Sequence, residues 1–169
     1  FYGILGSDER AHPWMDEGIN SFSELRYIEK KYPGLKLYQS QEISAGIAEY
    51  LDIFDLPHHS QYELAYLFNA KRNLDQAGNL HSEDFLAMNY FTIAYMKNAI
   101  SFYYLFNYLG EKTFDKAMQE YYSTWKYKHP YPDDLVKIFN KHTDKNLSWF
   151  FDDVLGTTKK LDFKIKSLK

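Results

Sequence analysis

Residues 85–109 read Phe85-Leu86-Ala87-Met88-Asn89-Tyr90-Phe91-Thr92-Ile93-Ala94-Tyr95-Met96-Lys97-Asn98-Ala99-Ile100-Ser101-Phe102-Tyr103-Tyr104-Leu105-Phe106-Asn107-Tyr108-Leu109. No Pro or Gly interrupts the run, and Gly110 follows it as a C-terminal stop. Ser82, Glu83 and Asp84 precede it, a capping hydroxyl and two acids suited to the positive end of a helix dipole. This predicts one long helix over 82–110. It is apolar nearly all round, so it is expected to lie inside the fold. Lys97 and the amides of Asn89, Asn98 and Asn107 are costly in lipid, which argues against a membrane span in this segment.

The same reading extends outward from the central run. Downstream, Phe114, Ala117, Met118, Tyr121, Tyr122 and Trp125 recur at helical spacing until Pro130 and Pro132. Pro132-Asp133-Asp134 opens a shorter helix to about 141, and Leu147, Phe150, Phe151, Val154 and Leu155 form another, closed by Gly156. Upstream, Pro13 suits a first helical turn, and Met15, Ile19, Phe22 and Leu25 continue it until Pro33-Gly34. Further helices are expected over about 41–53 and 60–73, the latter capped by Ser60. Only Leu161-Asp162-Phe163-Lys164-Ile165 alternates with period two, as a strand would. The expectation is a mainly α fold, with residues 1–158 as a helical lobe and 159–169 as an extended segment leading toward a β domain.

With 169 residues, 45% hydrophobic and 25% charged, the chain is long enough for one domain with a real core. A formal charge of -3 argues against nucleic acid as a partner. The absence of cysteine excludes disulfides and thiolate metal sites but does not decide the compartment. There is no G-x-S-x-G, phosphate loop or calcium loop. His12, His58 and His59 read as ordinary loop histidines. His129-Pro130 reads as a structural joint between two helices.

The chemistry-bearing stretch is Trp14-Met15-Asp16-Glu17-Gly18-Ile19-Asn20-Ser21-Phe22-Ser23-Glu24. Asp16 and Glu17 stand in the first turn of an apolar-faced helix. Glu17 and Glu24, seven apart, share one face. Such carboxylates have two readings: partners of the helix dipole, or a metal ligand at Glu17 supported by Glu24. The stretch resembles the W-L-N-E-G-F-A-x-x-x-E segment of the gluzincin aminopeptidases, the membrane-alanyl-aminopeptidase type of zinc metallopeptidase. In that family an H-E-x-x-H helix supplies two His ligands and a general-base Glu. The third ligand is the Glu of W-L-N-E-G, at a fixed interval after the second His. Counted back from Glu17, that interval falls just upstream of Phe1.

Two further segments carry the resemblance, in the same order. Tyr95-Met96-Lys97-Asn98-Ala99 followed by Leu109-Gly110-Glu111 is similar to the family's Tyr-x-Lys-Gly-Ala helix and its Leu-Gly-Glu, with Asn98 where Gly is usual. Trp125-Lys126-Tyr127-Lys128-His129-Pro130 with Asp133-Asp134, then Leu147-Ser148-Trp149-Phe150-Phe151, resembles its W-x-F-x-H-P run and W-F-F segment. The interval from Glu17 to Tyr95 exceeds that of the best-known members, so an insertion around 35–80 is implied.

The resemblance implies the C-terminal lobe of a gluzincin catalytic domain, with Glu17 as zinc ligand, Glu24 in support and Tyr95 as oxyanion donor. It implies zinc in the full-length protein and none held tightly by this fragment alone. The implied partners are a peptide substrate and the upstream part of the same catalytic domain. The competing expectation is a non-enzymatic helical scaffold or peptide-binding module whose Glu17 is structural only.

Overall fold

A computed structural model of the protein describes residues 3–160. A π-helical turn, Trp14–Gly18, runs into α1, Ile19–Lys31. Then come the short α2, Leu37–Ser40, and α3, Ala45–Tyr50, followed by α4, Ser60–Ala70. The central helix begins as α5, Ala87–Asn89, widens to a π-helical stretch, Tyr90–Lys97, and continues as α6, Asn98–Leu109. Next are α7, Glu111–Trp125, α8, Pro132–His142, and a π-helical segment, Trp149–Leu155. The described residues hold no strand, only an isolated antiparallel bridge between Lys36 and Pro57. The fold is mainly α, as the periodicity predicts. The period-two segment 161–165 lies outside the described residues. Among those described, no helix is long and apolar enough to cross a membrane.

The core is aromatic. Ile19, Phe22 and Leu25 of α1 pack with Phe102 and Leu105 of α6, Phe114 and Tyr121 of α7, and Leu135 and Phe139 of α8. Phe114 is the hub: its ring centroid lies 5.2 Å from Phe22, 5.5 Å from Phe106 and 5.3 Å from Phe139. Burying each such ring stabilises the fold by roughly 1.5–3 kcal/mol. At the rim, Arg26 grips Asp115 with both guanidinium nitrogens, at 2.6 and 3.2 Å, and lies 4.3 Å over the Phe106 ring. The His129 joint behaves as expected. Its Nδ1 donates to the Gly6 carbonyl at 2.8 Å, while Gly6 N–H donates to Lys128 O and Tyr127 N–H to Ile4 O. Residues 4–6 are thereby laced onto the end of α7.

Three expectations need correction. The helix expected over 41–53 is interrupted. Glu42 and Asp52 adopt φ of 53° and 57°, left-handed conformations that bound a short α3 capped by Ser44. The long helix does not run from Ser82. Residues 82–84 make a 3₁₀ turn, Phe85 and Leu86 are extended, and the α-helix starts at Ala87. Gln76 is the cause: its amide donates to Asp84 O at 2.8 Å, and its carbonyl accepts from Leu86 N–H and from Asn89 Nδ2. A side chain from a separate loop thus caps this helix. Finally, the long helix is buried on one side only. Phe102 and Leu105 are fully enclosed, whereas Leu86, Met88, Phe91 and Tyr104 are more than half exposed.

Candidate functional site

Glu17 sits at the head of α1, half-buried, in the π-helical turn that follows Pro13. Opposite it stands the second π-helical stretch, Tyr90–Lys97, and the two segments pack against each other. π-Helical turns are uncommon and gather at functional sites; here the two that face each other carry the residues singled out by sequence. The Tyr90 hydroxyl donates to Glu17 Oε1 at 3.3 Å. Tyr95 also reaches Glu17: burial first, then hydrogen bonding to the Glu17 carboxylate, pushes its phenol well above the usual range. Burial and the same carboxylate raise the Tyr90 phenol. The two tyrosine rings meet edge to face with centroids 5.9 Å apart.

Glu17 and Tyr95, far apart in sequence, are therefore neighbours. Tyr90 was not singled out by sequence. It is five residues before Tyr95, and in an α-helix that spacing leaves side chains about 140° apart. The wider i→i+5 turn of the π-helix narrows this offset and turns both phenols toward one carboxylate. The absence of Gly and Pro near residue 90 predicts helix but does not reveal its winding.

The neighbouring groups define the site's floor. Asp16 is buried, and Asn20 Nδ2 donates to its Oδ1 at 2.6 Å. Its carboxyl is pushed up to about 6 by burial and by the charges of Glu9 and Glu17. Gly18 packs on the central helix so closely that a methyl group there would lie 2.7 Å from Asn98 Cβ. Asn98, the departure from the family pattern, is wholly buried and donates from Nδ2 to Gly78 O at 3.0 Å. Gly78 N–H in turn donates to Leu155 O. Lys97, also buried, donates to Gln76 O and Thr157 O at 3.3 and 3.1 Å. Burial holds the Lys97 ammonium down to about 8. Loop 74–80 is thus fastened to the site helix from both sides. Within the segment expected as an insertion, α4 packs on the π-helical stretch, and Asn69 donates to Asn89 Oδ1 and Thr92 Oγ1.

Glu24, in α1 and seven residues after Glu17, is exposed, and its charge acts on His58 and Tyr62. His59 pairs with Glu29 at 3.2 Å, and the buried His58 contacts Gln61. Among the described residues, no three His, Cys, Asp or Glu side chains are grouped to hold a metal ion. Glu17 nonetheless fits the role of a single ligand. Its carboxylate is half-buried and oriented by a hydroxyl donor, as metal-binding carboxylates are.

Comparison with known families supplies the wider context. The family model described as the peptidase family M1 domain matches residues 7–154. Searches of curated proteins and of solved structures each return no match. The match covers most of the chain, and the chain belongs to the M1 peptidase family, whose members are hydrolases and generally zinc-dependent.

Proposed function

We propose that this M1-family chain is the helical C-terminal part of a zinc-dependent aminopeptidase catalytic domain, which hydrolyses N-terminal peptide bonds. The observation that carries the reading is the convergence of two tyrosine hydroxyls on the Glu17 carboxylate between two π-helical segments. Glu17 is the proposed metal ligand. Zinc, when bound, supplies a Lewis acid that activates water and polarises the substrate carbonyl.

This chain's residues do the rest of the work assigned to it. Tyr95 donates its phenolic proton in a hydrogen bond to the carbonyl oxygen on which negative charge develops. The raised phenol remains protonated, and so remains a donor, at neutral pH. Glu24, in α1, is the proposed support of the ligand Glu17. The 169 residues contain no H-E-x-x-H. In this proposal the remaining ligands and the general base come from a partner helix that these 169 residues do not include. Met88 and Phe91, exposed at 61% and 52% beside the tyrosines, are the surface offered to that partner.

One ligand of three is too few for a stable site, so the 169-residue chain alone is inactive and binds zinc weakly. Calorimetric zinc titration of this chain tests that statement; a tight site overturns it. In the intact enzyme, Glu17→Gln loses zinc, whereas Tyr95→Phe keeps zinc and loses about 10²–10³ in kcat. Full zinc occupancy in Glu17→Gln removes the metal assignment, and an unchanged kcat in Tyr95→Phe removes that of the donor.

A further inference from the structure

We infer that Tyr90 is a positioning residue for the Glu17 carboxylate, holding Oε1 so that Oε2 is the oxygen presented to the metal. This rests on the reading of Glu17 as a ligand. A glutamate's terminal torsion is broad and roughly two-fold, so an untethered carboxylate offers either oxygen at little cost. A hydrogen bond to one oxygen removes that freedom. Tyr90 Oη makes such a bond to Oε1 at 3.3 Å.

The tyrosine is itself held on two sides, its ring edge to face with Phe85 at 6.0 Å and with Tyr95 at 5.9 Å. Its place at the first residue of the π-helical stretch turns it toward Glu17 alongside Tyr95. The two phenols are not interchangeable. A donor assigned to the substrate oxygen must leave the ligand carboxylate when substrate arrives, and Tyr95 is the one assigned to that oxygen. Tyr90 can stay on Oε1 throughout. It thus provides an orienting hydrogen bond to a metal ligand, of the kind whose loss weakens metal binding 10–100-fold.

The test is a chelator competition on the intact enzyme, measuring the zinc Kd of the wild type, Tyr90→Phe and Glu17→Gln. The Phe variant keeps the ring between Phe85 and Tyr95 and deletes only the hydroxyl. It is expected to bind zinc at least about ten-fold more weakly, with an unchanged thermal midpoint for the zinc-free protein. A wild-type zinc Kd in Tyr90→Phe overturns the inference. So does a loss of kcat with zinc affinity intact, since that would place the hydroxyl on the substrate. Glu17→Gln separates the two claims. If it loses zinc while Tyr90→Phe does not, only the role of Tyr90 fails. If it too binds zinc like the wild type, the ligand assignment beneath it fails.

Discussion

The two sides of the central helix follow opposite rules. Toward α1, α7 and α8, the α6 portion packs Phe102 and Leu105 into a cluster of rings around Phe114, where the buried Tyr121 hydroxyl is the polar group left without a partner. Toward Glu17 and loop 74–80, residues 89–98 bury Asn89, Thr92, Lys97 and Asn98, and Asn98 Oδ1 is left without a partner. The first side is stabilised by apolar burial. The second gives up some of that stability to hold a carboxylate, two phenols and a loop in fixed places. This is the pattern expected where a site is built into a fold.

The largest effect is expected on the aromatic side. Phe114→Ala is expected to cost about 3–5 kcal/mol, read as a lowered urea midpoint with the m-value retained. A cost below about 1 kcal/mol would mean that Phe114 does not join the four helices. On the polar side, Gly18→Ala forces a methyl against Asn98 Cβ and is expected to cost about 1–3 kcal/mol. Adding Asn98→Gly should recover part of that loss, and a double-mutant cycle measures the coupling. Strict additivity would show that the two residues do not meet.

A smaller effect sharpens the contrast through pH. Burial depresses Lys97 to about 8 in the folded chain, from an ordinary 10.5. Between those values the unfolded chain binds more protons, so stability rises with pH through this window. From pH 7 to 9 Lys97 should contribute roughly 1 kcal/mol of gain. Lys97→Met should abolish that slope in parallel denaturation curves; an unchanged slope would place the ammonium in water. The smallest effect belongs to exposed Glu24, where Glu24→Gln should change stability by no more than about 0.5 kcal/mol.

The aromatic side was legible because it follows period. Phe114, Ala117, Met118 and Tyr121 recur at helical spacing, and all four are buried. Gly110 and Pro132 mark their boundaries where expected. The helix starts at Ala87 and not at Ser82 because the capping group is Gln76, a residue that no local pattern links to Leu86. Composition predicts an enclosed central helix because it reports how apolar a face is, not whether anything covers it. Exposed Met88 and Phe91 show the difference.

The sequence by itself determined the helical order of the chain and, through three motifs in register, the family; it also singled out Glu17 and Tyr95 as candidates. Periodicity and motif spacing are properties of residue order, so they can be read without coordinates. Only the tertiary structure decided that Tyr90 joins them, that Asn98 fits because Gly18 and Gly78 make room, and that loop 74–80 is tied down by Lys97. Each of those depends on how tightly a helix winds or how closely two backbones approach. Such distances are set by packing between segments remote in sequence.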